Sequence, residues 1–181
     1  MSRPDKAWYH VTFGTYASWL QGDPRGFRTR NHRQHSSGDH RNPPPRGEHA
    51  GLHKANRDSI PRSATIAREL RPLVGERIVQ RLEKLEHELL VIAVGGQHVH
   101  LLARLPTEFG AVDHEIGRCE QSVSVSLSGK LPKKLWARGC GVKPIRDRAH
   151  QRRAYRYIRD HVNEGAWVWT FRDGELAYDP G

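Results

Sequence analysis

The chain has 181 residues, enough for one domain, and its 30 Lys+Arg against 20 Asp+Glu leave a formal net charge of +10 and a pI of about 10.1. A balance this basic favours a polyanionic partner, and no apolar run approaches the roughly 20 residues that span a bilayer, so nucleic acid is expected rather than a membrane. The opening residues MSRPDKAWYH lack the apolar stretch of a secretory signal, and the protein is expected in the cytoplasm.

In chain order, residues 8–16, WYHVTFGTY, alternate β-branched and aromatic residues with smaller or polar ones and predict a strand. About residues 20–60 follow as a basic, His-, Arg- and Pro-rich insertion or extended arm in which no packed element is predicted. Pro43 to Pro45 exclude a helix at that point. The hydrophobic fraction of only 36% agrees with part of the chain being solvated. The arm carries Arg25, Arg28, Arg30, Arg33, Arg41, Arg46, Lys54 and Arg57 with histidines between them. Such a segment serves either as a DNA-backbone clamp or as a solvated loop, and the sequence leaves both open.

From Ala64 the pattern turns helical: Leu70, Leu73, Val74, Ile78, Leu82 and Leu85 recur at three- and four-residue spacing, with Pro72 suited to a first turn. HELLVIAVGG predicts a strand and tight turn, and QHVHLLARLP its hairpin partner. Residues 108–128 predict a helix, although SVSVSLS at its end alternates as a strand would. KKLWARGCGVKPI predicts an irregular strand, residues 147–163 a helix closed by Gly165, WVWTF at 167–171 a short edge strand, and ELAYDPG a loose end. Leaving out the arm, this is a split βαβ order. The expected fold is a single α+β domain over 1–181. It has a ferredoxin-like antiparallel sheet with helices on one face, plus a C-terminal Tyr-bearing helix. Cys119 and Cys140 make no CxxC pair, so a thiolate zinc site is not indicated.

His98 and His100 are one residue apart on a predicted strand, so both face the same way. With 12 His in the chain, roughly one His-x-His is expected by chance, and the motif is weak alone. The last predicted helix adds what it lacks. Tyr157 and His161 are four apart and share one helical face, with His150 two turns before on the same side and Tyr155 turned well away. Three neutral imidazoles could hold a divalent metal, and a basic surface could hold a phosphodiester beside it, within reach of the phenol. The fitting chemistry is attack by tyrosine on phosphorus, giving a covalent phosphotyrosine that conserves the energy of the broken bond. Tyr155 remains the competing nucleophile. Arg152, Arg153, Arg156 and Arg159 on the helix, with Arg104 on the strand, are candidate phosphate contacts.

HVH at 98–100, following an apolar strand, resembles the His-hydrophobic-His motif of the single-tyrosine HUH transposases, the insertion-sequence-200-type and REP-associated tyrosine transposases. LW…RDRAHQRRAYRYIRDH resembles that family's C-terminal region, where a helix carries a Tyr-Ile pair and a metal ligand four residues on. HVTFGTY looks like its first strand. The resemblance spans about residues 8–18 and 72–165. It implies Tyr157 as nucleophile, His98, His100 and His161 as ligands of Mg²⁺ or Mn²⁺, and single-stranded DNA with hairpins as partner. It leaves open whether a homodimer shares its tyrosines between subunits. Two departures stand out: the basic arm lies outside the minimal core, and RGCGVKP lacks aromatic residues often found before the helix. Two other functions compete: a domesticated relative that processes host repeats, and a non-catalytic single-strand binder using the sheet as platform.

Overall fold

The computed structural model describes residues 5–27, 35–37, 42–60 and 63–176. Strand alternation decides which side chains meet. β1 (Lys6–Gly14) sends Val11 and Phe13 to one face of the sheet and Trp8 to the other. β2 (Glu88–Val94) and β3 (His98–Pro106) form the predicted hairpin, with a bulge between Leu89 and Val91. β3 pairs antiparallel with β1 so that Thr12 lies opposite His100 and Gly14 opposite His98. β4 (Gly141–Pro144) joins the far side of β1, while β5 (Trp167–Thr170) and then β6 (Gly174–Leu176) extend the sheet beyond β2. The order is β4-β1-β3-β2-β5-β6, antiparallel throughout. Its first four strands are the ferredoxin-like arrangement expected of the split βαβ order.

Helices α2 (Arg71–Lys84) and α3 (Ala111–Ser126) cover one face. Val74, Ile78 and Leu82 of α2 and Ile116, Cys119 and Val123 of α3 meet Val11, Ile92, Val94, Val99, Leu101 and Leu105 in the main core. Each fully buried aliphatic side chain there contributes about 1.5–3 kcal/mol of transfer free energy. α4 (Arg148–Asp160) lies on the opposite face, where Ala154 and Ile158 pack on Val91, Ala93, Leu102 and Val168. The sheet is thus covered on both faces, and the Tyr-bearing helix makes a second, smaller core. Cys119 is buried and its thiol is pushed up to about 12 chiefly by that burial, so it is an inert core residue. The Cys140 thiol donates to Asp113 Oδ1 at 2.9 Å. Among the described residues no helix is long and apolar enough to cross a membrane.

Several expectations change. Within the arm, Ala50–Ser59 forms helix α1, which buries none of its residues; Arg28, Arg30, Arg33 and Arg41 lie outside the described residues, as does the end of ELAYDPG. SVSVS is helical because Val123 continues the buried spacing from Ile116 and Cys119, while Val125 is 71% exposed. Burial at helical period overrides the local alternation. KKLWARGCGVKPI contributes only Gly141–Pro144 to the sheet, apart from one bridge from Trp136 to Thr15. WVWT is an interior strand, with Trp167 facing the main core and Val168 the α4 core; β6 is the edge.

Candidate active site

The pairing of β1 with β3 builds the floor of the site. Val99 and Leu101 point into the main core, so His98 and His100 must point to the α4 face, and Thr12 follows from its place opposite His100. α4 is started by Asp147, whose carboxylate accepts from the His150 backbone N–H at 2.7 Å. Because Ala154 and Ile158 face the sheet, the two tyrosines diverge. Tyr157 leans to one flank, over the histidines, and Tyr155 to the other. A 3₁₀ turn, His161–Glu164, then closes the helix at Gly165, whose φ of 76° is the left-handed conformation glycine adopts without strain.

The result is a pocket of about 450 Å³ whose lining includes Thr12, His98, His100, Tyr157, His161 and Arg71. The His100 and His161 rings lie 4.6 Å apart, centroid to centroid. Tyr157 stands edge-on to His161 at 4.8 Å and to His100 at 5.7 Å, and is 54% exposed. His161 Nδ1–H donates to the Tyr157 carbonyl at 2.8 Å. That bond places a proton on Nδ1, so a metal would take the ring through Nε2. His100 Nδ1 is 3.0 Å from the Thr12 hydroxyl and 3.3 Å from His10 Nε2.

Electrostatics keeps the floor uncharged. His100 is pushed down to about 3, chiefly by burial and then by the neighbouring His161 and His10. His10 falls to about 4, again chiefly by burial, with Lys143 next. His98 is lowered by burial and by Arg25. Neutral imidazole is the form that binds a metal, and a partner on one ring nitrogen is what orients the other. The donor chemistry of His98, His100 and His161 therefore fits a divalent cation. Among the described residues, however, no three His, Cys, Asp or Glu side chains form a ready-made metal cluster; the three imidazoles share a pocket without closing on a point.

Four contributors are not marked by the sequence motifs. His10 and Thr12 carry the HVT pattern of the first strand, at the same parity as HVH, but only the strand register brings them to His100. Trp19, at the start of the arm, turns back and meets His98 edge-on at 6.4 Å. Its other face lies 4.1 Å from the Arg25 guanidinium, itself held by Asp23 at 2.6 Å. Arg71, at the start of α2, reaches the pocket past Gly96. Its Nη1 donates to the Gly165 carbonyl at 2.5 Å and its Nε to the Ile66 carbonyl at 3.4 Å.

The candidate phosphate contacts separate. Arg152, Arg156 and Arg159 line a different groove together with Tyr155. Arg153 is exposed and lines neither. Arg104, on β3 beyond Leu102, sits about 13 Å along the strand from His100 at strand rise and is paired with Glu88 at 2.8 Å. His150 is outside the pocket lining; its ring Nδ1 accepts from the Arg146 backbone N–H at 3.3 Å.

No family model matches the chain, and no curated protein matches it. Among solved structures the chain is similar to a REP-associated tyrosine transposase bound to a REP hairpin, with a TM-score of 0.49 and 11% identity, over 91% of this chain and 73% of that one. At that identity the likeness says nothing of which side chains act.

Proposed function

We propose that this chain cleaves and rejoins single-stranded DNA through a covalent bond between Tyr157 and a 5′ phosphate. The observation that carries the reading is the shared pocket. A half-exposed phenol stands within ring contact of His100 and His161, over a floor of neutral imidazoles, in a protein of net charge +10.

Tyr157 Oη attacks phosphorus as its proton leaves. The bond from phosphorus to the 3′ oxygen breaks, the 3′ oxygen takes up a proton, and the 5′ phosphate stays on the tyrosine. Attack by a 3′ hydroxyl reverses the step and joins a strand without ATP. A protonated phenol is a weak nucleophile, so charge developing on the phosphate must be stabilised. Arg71 suits that role: its Nη1 and Nε are tied to backbone carbonyls, which aims the guanidinium and leaves Nη2 to donate to a phosphate oxygen. His98, His100 and His161 would hold Mg²⁺ or Mn²⁺, which would supply Lewis-acid polarisation of a non-bridging oxygen. Thr12 and His10 orient His100, and Trp19 shields His98 from solvent.

With single-stranded DNA hairpins and Mn²⁺, the protein is expected to form a protein–DNA adduct that survives denaturation. Tyr157→Phe abolishes the adduct and Tyr155→Phe keeps it. An adduct that persists in Tyr157→Phe overturns the assignment. Binding without adduct on every DNA tried would instead establish a non-catalytic single-strand binder.

A further inference from the structure

The flank of α4 turned away from Tyr157 carries a second basic site. Arg148, Arg152, Arg156 and Arg159 from α4 face Phe171 and Arg172, from the turn between β5 and β6, across a groove of about 500 Å³. Their spacing follows from the helix: residues 148, 152, 156 and 159 recur every three or four positions and form one stripe. That stripe runs for about 16 Å at helical rise. The guanidinium groups of Arg148, Arg152, Arg156 and Arg172 make no ion pair or hydrogen bond with any described residue. Among the described residues, Arg159 alone of this stripe has a carboxylate partner, Asp160 at 2.8 Å. So many unneutralised cations side by side repel one another, and a polyanion laid along them relieves that repulsion and releases counterions.

Phe171 selects the kind of polyanion. It is 72% exposed, although its backbone N–H is anchored to the Leu90 carbonyl at 2.9 Å. A large aromatic face held open at the lip of an arginine groove offers a stacking surface to an unpaired base, and duplex DNA keeps its base faces hidden. We propose that this groove binds a single-stranded stretch of nucleic acid outside the cleavage pocket, with phosphates on the arginine stripe and one unpaired base stacked on Phe171. The site goes beyond the cleavage reaction, because it lies across the helix from Tyr157 and needs neither the nucleophile nor a metal.

Fluorescence anisotropy with a labelled 20-nucleotide single strand, and with a duplex of equal length, tests this in the full chain without metal. Phe171→Ala is expected to weaken single-strand binding roughly 10-fold and to leave duplex binding unchanged, with Phe171→Trp restoring it. The double reversal Arg152→Glu/Arg172→Glu is expected to flatten the salt dependence of single-strand binding by about 1.4 in log–log slope for two lost phosphate contacts. Lys130→Glu/Lys133→Glu, after α3 on the other side of the sheet, makes the same change of net charge and is expected to leave that slope near wild type. The anisotropy assay without metal reads binding alone and the adduct assay reads cleavage alone, so failure of the cleavage reading and failure of the groove read out separately. Equal losses for duplex and single strand in Phe171→Ala, or equal slopes for the two charge reversals, would overturn the proposal.

Discussion

The Thr12 hydroxyl lies 3.0 Å from His100 Nδ1, across the register that pairs β1 with β3. It turns a strand histidine that lines the pocket into an oriented one. Thr12→Val keeps the shape and removes the nearer partner of Nδ1, leaving His10 Nε2 at 3.3 Å. Loss of such a hydrogen bond behind a metal-binding histidine costs about 10- to 100-fold in affinity or activity. Mn²⁺ titration of the variant, with adduct yield as readout, is expected to show that loss, and Thr12→Ser to recover most of it. An unchanged Mn²⁺ requirement in Thr12→Val would remove Thr12 from the site.

Gly75 is a helix glycine with a packing reason. A Cβ there would overlap the Trp167 indole, which lies against α2. Gly→Ala in a helix interior ordinarily gains about 0.5–1 kcal/mol, whereas overpacking a core costs about 1–3 kcal/mol. The overlap is with a buried ring, so the cost wins. Gly75→Ala is expected to lower stability in urea unfolding, and a gain in stability would show that Trp167 can move aside.

Glu120 sets a pH dependence of stability. Its carboxyl is raised to about 7, chiefly by burial and then by the neighbouring Asp113. Between the ordinary glutamate value and about 7 the folded state binds the proton more tightly than the unfolded chain. Stability therefore falls as pH rises through that window and levels off above it. After allowance for partial solvent screening, the loss is on the order of 1 kcal/mol. Glu120→Gln is expected to match wild type near pH 4.5 and to exceed it near pH 8 in thermal melts. Parallel melting curves for the two proteins across that range would contradict the assignment.

Sequence patterning went far with the core and less far with the site. The ferredoxin-like order was legible because Ile78, Leu82 and Val99 sit in long, strongly periodic segments whose burial follows their spacing. The interior place of WVWT was not, and SVSVS stayed ambiguous at the end of a predicted helix, since short apolar runs take their state from what packs on both sides of them. Spacing paired His98 with His100 and Tyr157 with His161, the family resemblance joined the two pairs, and all four line one pocket. Arg71, Trp19 and His10 could not, because α2, the arm and β1 reach the pocket only through tertiary contacts and strand register. The arginines of α4 were visible as a set. Their division between flanks depends on Ile158 and Ala154 choosing the sheet, which assigns Tyr157 to the histidines and Tyr155 to the basic groove.

That division is why Tyr157 rather than Tyr155 is the proposed nucleophile, and the sequence around it allows a direct check. Trypsin cuts after Arg153, Arg156 and Arg159, so Tyr155 and Tyr157 leave in separate peptides, Ala154–Arg156 and Tyr157–Arg159. After reaction with single-stranded DNA and Mn²⁺ and digestion of the DNA, mass spectrometry is expected to find the nucleotide phosphate on Tyr157-Ile158-Arg159. Finding it on Ala154-Tyr155-Arg156, or on another peptide, would contradict the account.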